Sequence, residues 1–433
     1  MKRAVVVGTG AGGATAARAL QGAFDVTVLE AGEEFRPFAR DLDRLVRLRA
    51  TRLFLDPRLI RLLFPPMHIT MVSDGVALVR GIATGGTTTL ATGNALRVDT
   101  GLRELGIDLD DEFRELEAEL PISTAHRVRW RTATKQLFAA CNDMKLEPVV
   151  TPKLVECERC QRCGRCVLGC PRDAKWDSRR FLDEAVAKGA RLQTGVHVER
   201  VVIDEASSGA RVTGVATRHR GRRAFVPADL VVLAAGGLGT PVILERSGIA
   251  TENRLFVDPV LCVAVPWQGA GQDEEMPMPF VVERDHYIVS PYFDYLSYFF
   301  DRRWLRPGGD ILALMVKLAD TELGVAGPRG VRKGLTAQDK RRLREAVELC
   351  TDILVRAGAP RESVFLGTPN AGHPGGMLPV DGEGREPFHD ARLPPNLYVA
   401  DASLFPRSLG KPPMLTIMAM AGRVARLCTE RHG

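Results

Sequence analysis

Residues 1–32, MKRAVVVGTGAGGATAARALQGAFDVTVLEAG, decide the fold. Residues 4–7 are a short apolar run rich in β-branched side chains, which favours a buried strand. Gly8-x-Gly10-x-x-Gly13 follows, then an alanine-rich helical stretch to Leu20, then a second apolar run at 26–29 ending on Glu30. Strand, glycine turn, helix, strand and acid is the spacing a dinucleotide needs. Gly8 permits the tight turn, Gly10 lets a pyrophosphate approach the backbone, and Gly13 lets helix and strand pack closely. The helix start offers its unpaired N–H groups and the positive end of its dipole to the phosphates. Glu30 stands where a carboxylate accepts both hydroxyls of an unphosphorylated ribose. An adenine dinucleotide is expected here, within a Rossmann-like, mixed α/β lobe.

The chain, at 433 residues, has room for two or three lobes, each with its own core. Its net charge of +6 is modest, and the distribution of charge says more than the total. The nucleotide unit begins three residues in, so no signal peptide is expected ahead of it. No run approaches the roughly 20 apolar residues of a spanning helix, so a cytoplasmic protein is expected. Residues 36–66, RPFARDLDRLVRLRATRLFLDPRLIRLLFPP, carry eight arginines against three aspartates among Leu, Ile and Phe. An amphipathic lid or surface helix pair, with arginine stems lying over apolar neighbours, accounts for this pattern. So does a basic segment resting peripherally on the anionic inner face of a membrane. Aromatic side chains for base stacking are sparse, and no nucleic-acid partner is expected.

Nine cysteines are present, five of them within residues 157–170. The run is Cys157-x2-Cys160-x2-Cys163-x2-Cys166-x3-Cys170-Pro171, and its last four cysteines with the proline match the bacterial ferredoxin pattern for a [4Fe–4S] cluster. Such short spacings let successive thiolates wrap one compact cube, whereas zinc sites more often pair two knuckles across a longer gap. In two-cluster ferredoxins the fourth cysteine serves the other cluster, so Cys157 and Cys170 compete for the fourth position. Zinc and metal-free thiols are the alternatives. Cys141, Cys262, Cys350 and Cys428 sit in mostly apolar contexts and read as buried thiols.

Other stretches add elements. Residues 79–94, VRGIATGGTTTLATGN, pair glycines with small hydroxyl residues, which suits backbone pressed against a flat or anionic ligand. Residues 108–120 read as an acidic helix with a solvated face, and 191–203 with 209–217 as a hairpin. Residues 230–241 run from a buried strand into a glycine turn and helix, and 259–319 suggest an antiparallel sheet. A helix over 336–357 is expected, with Thr336 as N-cap and Asp339 three residues on. In the tail, His373 stands among turn residues, Asp401 ends a strand, and prolines open a final helix.

Taken in order, VVVGTGAGGATAARAL with VLEAG, GGTTTLATGNA, VVLAAGGLGTPVIL, GHPGG and NLYVADASLFP with PPMLTIMAMA resemble the glucose–methanol–choline family of FAD-dependent oxidoreductases. The resemblance implies a discontinuous FAD lobe at 1–100, 151–260 and 370–433, with the 157–171 cysteine loop inserted. It leaves 101–150 and 261–369 for a small substrate domain with an antiparallel sheet. It carries Gly8, Gly10, Gly13 and Glu30 to the ADP half of FAD, and Gly85, Gly86, Thr87 and Asn94 to the flavin and pyrophosphate. Val198 would meet the adenine through its backbone. Ala235, Gly236, Asp401, Ala402, Pro413 and Met414 would complete the cofactor contacts. It also makes His373 the base that takes the hydroxyl proton as hydride leaves carbon for the flavin. An unperturbed imidazole titrates near pH ~6.5, so a neutral base is available. The family's second histidine or asparagine falls on Pro412, which has neither donor nor acceptor, and Lys411 beside it is the candidate substitute. With the cysteine run, the expectation is a dehydrogenase of a small alcohol, lipophilic if 36–66 faces a membrane. Its electrons would leave through a [4Fe–4S] cluster to a redox partner protein or quinone. A reductase or desaturase, and a flavin–iron–sulfur carrier with no small-molecule substrate, are the alternatives.

Overall fold

The first strand, Lys2–Val7, lies at the middle of a five-stranded parallel sheet ordered Leu397–Val399, Leu230–Leu233, Lys2–Val7, Phe24–Leu29, Arg191–Gln193. Val5 stands in register between Val231 and Thr27. The inner strands read as unbroken apolar runs at residues 4–7, 230–233 and 397–399 because both faces of the sheet are covered there. Helix Ala11–Ala19 packs against Arg179–Ala187 and against the terminal helix Met414–His432. The computed structural model describes residues 1–38, 56–206, 209–381 and 388–433.

The expected hairpin is present, Val196–Ala206 against Gly209–His219, and a third strand, Arg222–Pro227, joins it. A nine-stranded, mostly antiparallel sheet forms the second layer, with Val260–Pro266 and Ile311–Leu318 at its centre. It also takes Met67–Met71, Ala77–Gly81 and Asn370–Ala371, segments that the sequence assigned to the nucleotide lobe. Conversely, Leu102, Ile107, Phe113 and Leu116 of the 101–150 segment join the core of the parallel sheet. Helix Thr132–Asp143 packs into the antiparallel core instead, beside helix Ala337–Arg356.

One expectation changes with the structure. The acidic helix, Asp110–Glu119, is not only a solvated face: Glu112 is 2% exposed and accepts hydrogen bonds from Arg423 and Arg426 of the terminal helix. Of the arginine-rich segment, residues 39–55 lie outside the described residues, so its reading as lid or membrane contact falls largely there. Its flanks Phe38 and Phe64 are buried, while Leu62 is 68% exposed. No described helix is long and apolar enough to cross a membrane.

Candidate functional site

The carboxyl ends of the central parallel strands form one crevice, which is where open α/β sheets take their ligands. Gly10 is the N-cap of Ala11–Ala19, and no side chain caps that helix. Gly8 has φ +98°, and a Cβ there would lie 2.3 Å from the Ala234 carbonyl oxygen. A Cβ on Gly10 or Gly236 would meet nothing within 4 Å. The crevice thus brings a helix N-terminus and bare backbone to open space, and these residues fit the phosphates of a dinucleotide. The Gly85–Gly86–Thr87 turn stands against it: Gly85 N donates to Thr9 Oγ1 at 3.0 Å, and a Cβ on Gly86 would lie 3.0 Å from Gly10 Cα.

Glu30 is buried at the end of its strand. Its Oε2 accepts from Thr9 N at 3.1 Å and Thr9 Oγ1 at 2.6 Å, and its Oε1 accepts from Gly32 N at 2.9 Å. Burial pushes its carboxyl up, and these hydrogen bonds oppose the shift. Val196 N donates to Glu30 O at 2.9 Å, which brings the strand carrying the buried Val198 beside the acid. Asp401 ties the far side together. Its Oδ2 accepts from Gly236 N at 2.8 Å and Thr240 Oγ1 at 2.6 Å, and its Oδ1 accepts from Ser403 N at 2.8 Å. Ala235 and Gly236 open the helix Gly236–Arg246, while Pro413 caps the terminal helix and Met414 is its first residue.

The histidine loop is wedged against this region. A Cβ on Gly237 would lie 2.0 Å from Pro374 O, and Gly376 N donates to Ala402 O at 3.1 Å. His373 keeps about a quarter of its side chain exposed, yet Nδ1 is buried and without a hydrogen-bond partner, 3.8 Å from Asp258 Oδ2. Asp258 is wholly buried, with φ +52°, and pairs with Lys317 Nζ at 3.0 Å. Its Oδ1 accepts from Ser408 Oγ at 2.6 Å and from Leu409 N and Gly410 N at 3.2 Å each. Burial first, and the Lys317 charge second, hold His373 well below the ordinary histidine range. Lys411 does not share this arrangement. It forms an ion pair with Glu283 Oε2 at 2.6 Å and makes no hydrogen bond to His373. That pairing counts against it as the second catalytic side chain, and Pro412 leaves the position without a polar group.

Asn94 donates to Met278 Sδ at 2.9 Å and accepts from Lys153 Nζ. Lys153 also donates to Pro277 O at 2.6 Å. Lys175 Nζ donates to the carbonyls of Thr88 (3.0 Å), Thr89 (2.8 Å), Ala91 (2.8 Å) and Cys166 (3.2 Å). Both lysines are buried. Burial pulls Lys153 down to about 7, against the opposing pull of Cys166 and Cys160. Cys160, Cys163, Cys166 and Cys170 line one pocket with Lys175, and Cys157 does not. Among the described residues no three His, Cys, Asp or Glu side chains are drawn together around a single-ion position.

Sequence reasoning missed Asp258, Lys317, Lys153 and Lys175. Only the apolar run around Lys317 could have flagged one, as a charge inside a strand buried along its whole length.

Comparison with known proteins agrees with this geometry. A family model described as GMC oxidoreductase matches residues 5–265, and a second of that description matches 391–421. An uncharacterized GMC-type oxidoreductase of Mycobacterium tuberculosis is 28% identical across 98% of this chain and 75% of its own length. A long-chain-alcohol oxidase of Arabidopsis thaliana is 24% identical across 99% and 67%. The fold is shared with pyridoxine 4-oxidase from Mesorbium loti, TM-score 0.71 at 19% identity, each chain covered in full. Formate oxidase of Aspergillus oryzae shares it too, TM-score 0.72 at 15% identity, covering 100% and 99% of the two chains. This chain belongs to the GMC oxidoreductase family and is an FAD-dependent oxidoreductase acting on CH–OH groups.

Proposed function

We propose that the chain oxidises an alcohol carbon to the carbonyl, with His373 taking the hydroxyl proton at Nε2. The observation that carries this reading is the position of Asp258 behind His373. A buried carboxylate facing Nδ1 favours the tautomer with the proton there, and the lone pair is then left on Nε2. The lowered proton affinity of His373 keeps the ring neutral, and so able to accept a proton, across physiological pH. Oxidation releases two electrons and two protons: the pair leaves carbon with one proton as hydride, and the hydroxyl proton goes to His373. FAD, when bound, supplies the two-electron acceptor. Gly8, Gly10, Gly13, Glu30, Ala235, Gly236 and Asp401 would hold its ADP half, with Val198 at the adenine. Gly85, Gly86, Thr87, Asn94, Ala402, Pro413 and Met414 would hold the flavin end.

The finer reading sends the electrons on, one at a time, through a [4Fe–4S] cluster in the cysteine loop to a quinone or a redox partner protein. What supports it is the thiol-lined pocket beside the 85–94 turn. A lipophilic alcohol, and a cytoplasmic protein touching the inner membrane face through 36–66, suit the arginine and leucine pattern there. One observation favours a second reading, desaturation or the reverse reduction: Pro412 offers no polar group, and Lys411 is held by Glu283.

Anaerobic bleaching of the flavin by a panel of primary and secondary alcohols tests the proposal. His373→Ala should slow bleaching by about 10²–10⁴-fold with FAD content unchanged. Bleaching at the original rate in that variant would remove His373 from the chemistry and leave the second reading.

A further inference from the structure

The cysteine loop is a closed structure. Glu156 N donates to Ala174 O at 2.9 Å, Val155 bridges Lys175, and Arg159 donates to Arg172 O at 3.0 Å across the loop. Gly164 is seated against the 271–275 turn, where a Cβ would lie 1.9 Å from Asp273 O. Four thiols therefore face one fixed pocket. Cys157 stays outside it, with its Sγ 3.8 Å from Ser123 Oγ and its carbonyl accepting from Arg129 at 2.5 Å.

The wall of the same pocket includes one buried lysine, Lys175. Lys175 Nζ reaches only carbonyl oxygens, and among the described residues it has no carboxylate within ion-pair distance, the charge of Asp177 acting on it from farther off. A buried ammonium without an ion-pair partner is costly, so an anionic group is expected at the wall it borders.

We propose that Cys160, Cys163, Cys166 and Cys170 hold one [4Fe–4S] cluster, with Cys157 outside the ligand set and the cluster's negative charge balanced in part by Lys175. Four thiols ionise as four S–Fe bonds form, and their protons leave to solvent. Lys175 joins the cluster to the 85–94 turn: one side chain borders the pocket and donates to Thr88, Thr89 and Ala91. The ligand set stands on these thiols alone. The cluster's use as an electron exit rests on the flavin reading given above.

The test is anaerobic purification of the full chain, with iron, acid-labile sulfide, zinc and FAD counted per chain and electron paramagnetic resonance of the dithionite-reduced protein. About four irons and four sulfides are expected, retained in Cys157→Ser and lost in Cys166→Ser. Zinc without sulfide, or no metal after anaerobic reconstitution with iron and sulfide, overturns the cluster. Loss of the cluster in Cys157→Ser with its retention in Cys170→Ser overturns the ligand set. Lys175→Met, with its iron retained, should lower the cluster's reduction potential. An unchanged potential overturns the charge-balancing role. FAD content and bleaching by alcohol, read on the same samples, report separately on the flavin reading.

Discussion

Lys317 lies in Ile311–Leu318, a strand whose every residue is buried. Its ammonium meets Asp258 Oδ2 at 3.0 Å and Asp258 O at 3.2 Å, and together they form the wall behind His373. Because burial and this cation both lower the proton affinity of His373, the acid limb of kcat/KM should fall below the ordinary histidine value of ~6.5. Removing the cation raises His373, so Lys317→Met should move that limb to higher pH. The variant leaves a buried carboxylate without its counter-ion, at a cost of about 3–5 kcal/mol, so rates are normalised to bound FAD. A limb that stays in place would show that Lys317 has no part in setting the base. Little of this was legible in the sequence. His373 stood out because turn residues surround it and the motif is contiguous. Asp258 and Lys317 are brought together by strand pairing across 59 residues, and nothing in the local pattern of either announces the other.

Elements whose determinants are local were the legible ones. The unit from Lys2 to Glu30 writes its strand period, glycine turn and helix within thirty residues, and the structure follows it. Helix Ala337–Arg356 is another such case. Thr336 Oγ1 accepts from Asp339 N at 3.1 Å, and Asp339 Oδ2 accepts from Thr336 N at 2.8 Å, a reciprocal capping box. Thr336→Ala should cost about 1 kcal/mol and Thr336→Ser close to nothing, measured by urea denaturation. Equal stability of the alanine variant would mean that the Asp339 contacts to Thr321 hold the helix start unaided. The helix matters to the site because it packs on the strand that carries Lys317. Where an element's character depends on a distant partner, the sequence misled. Residues 108–120 read as solvated because their acids are contiguous, and only the terminal helix, some 311 residues on, shows that Glu112 is buried against Arg423.

Across the whole molecule, one buried network stitches the strand behind the histidine to the run that enters the terminal helix. Asp320 Oδ1 accepts from Asp258 N at 2.8 Å and Val257 N at 3.1 Å, while Asp320 N donates to Ser408 Oγ at 2.9 Å. Lys333 Nζ closes the group, 2.7 Å from Asp320 Oδ2 and donating to Thr321 O at 2.6 Å. The residues come from four separate stretches of chain, so the network ties the antiparallel sheet to the helix that packs on the nucleotide lobe. Lys333→Met should therefore lower the midpoint of unfolding and the midpoint of flavin release together, by about 3–5 kcal/mol of stability near neutral pH. The sign with pH follows from Asp320, whose proton affinity is already raised by burial and is held back by Lys333. Without that lysine the folded-state value rises further above the unfolded one, so the folded chain binds the proton more readily. Stability is then lost as pH climbs through that window and regained as pH falls toward the unfolded value of ~3.9. The defect should accordingly be larger at pH 8 than at pH 5. Flavin release that keeps its midpoint while the antiparallel sheet melts early would mean that the two lobes stand independently, and that the network serves only the sheet.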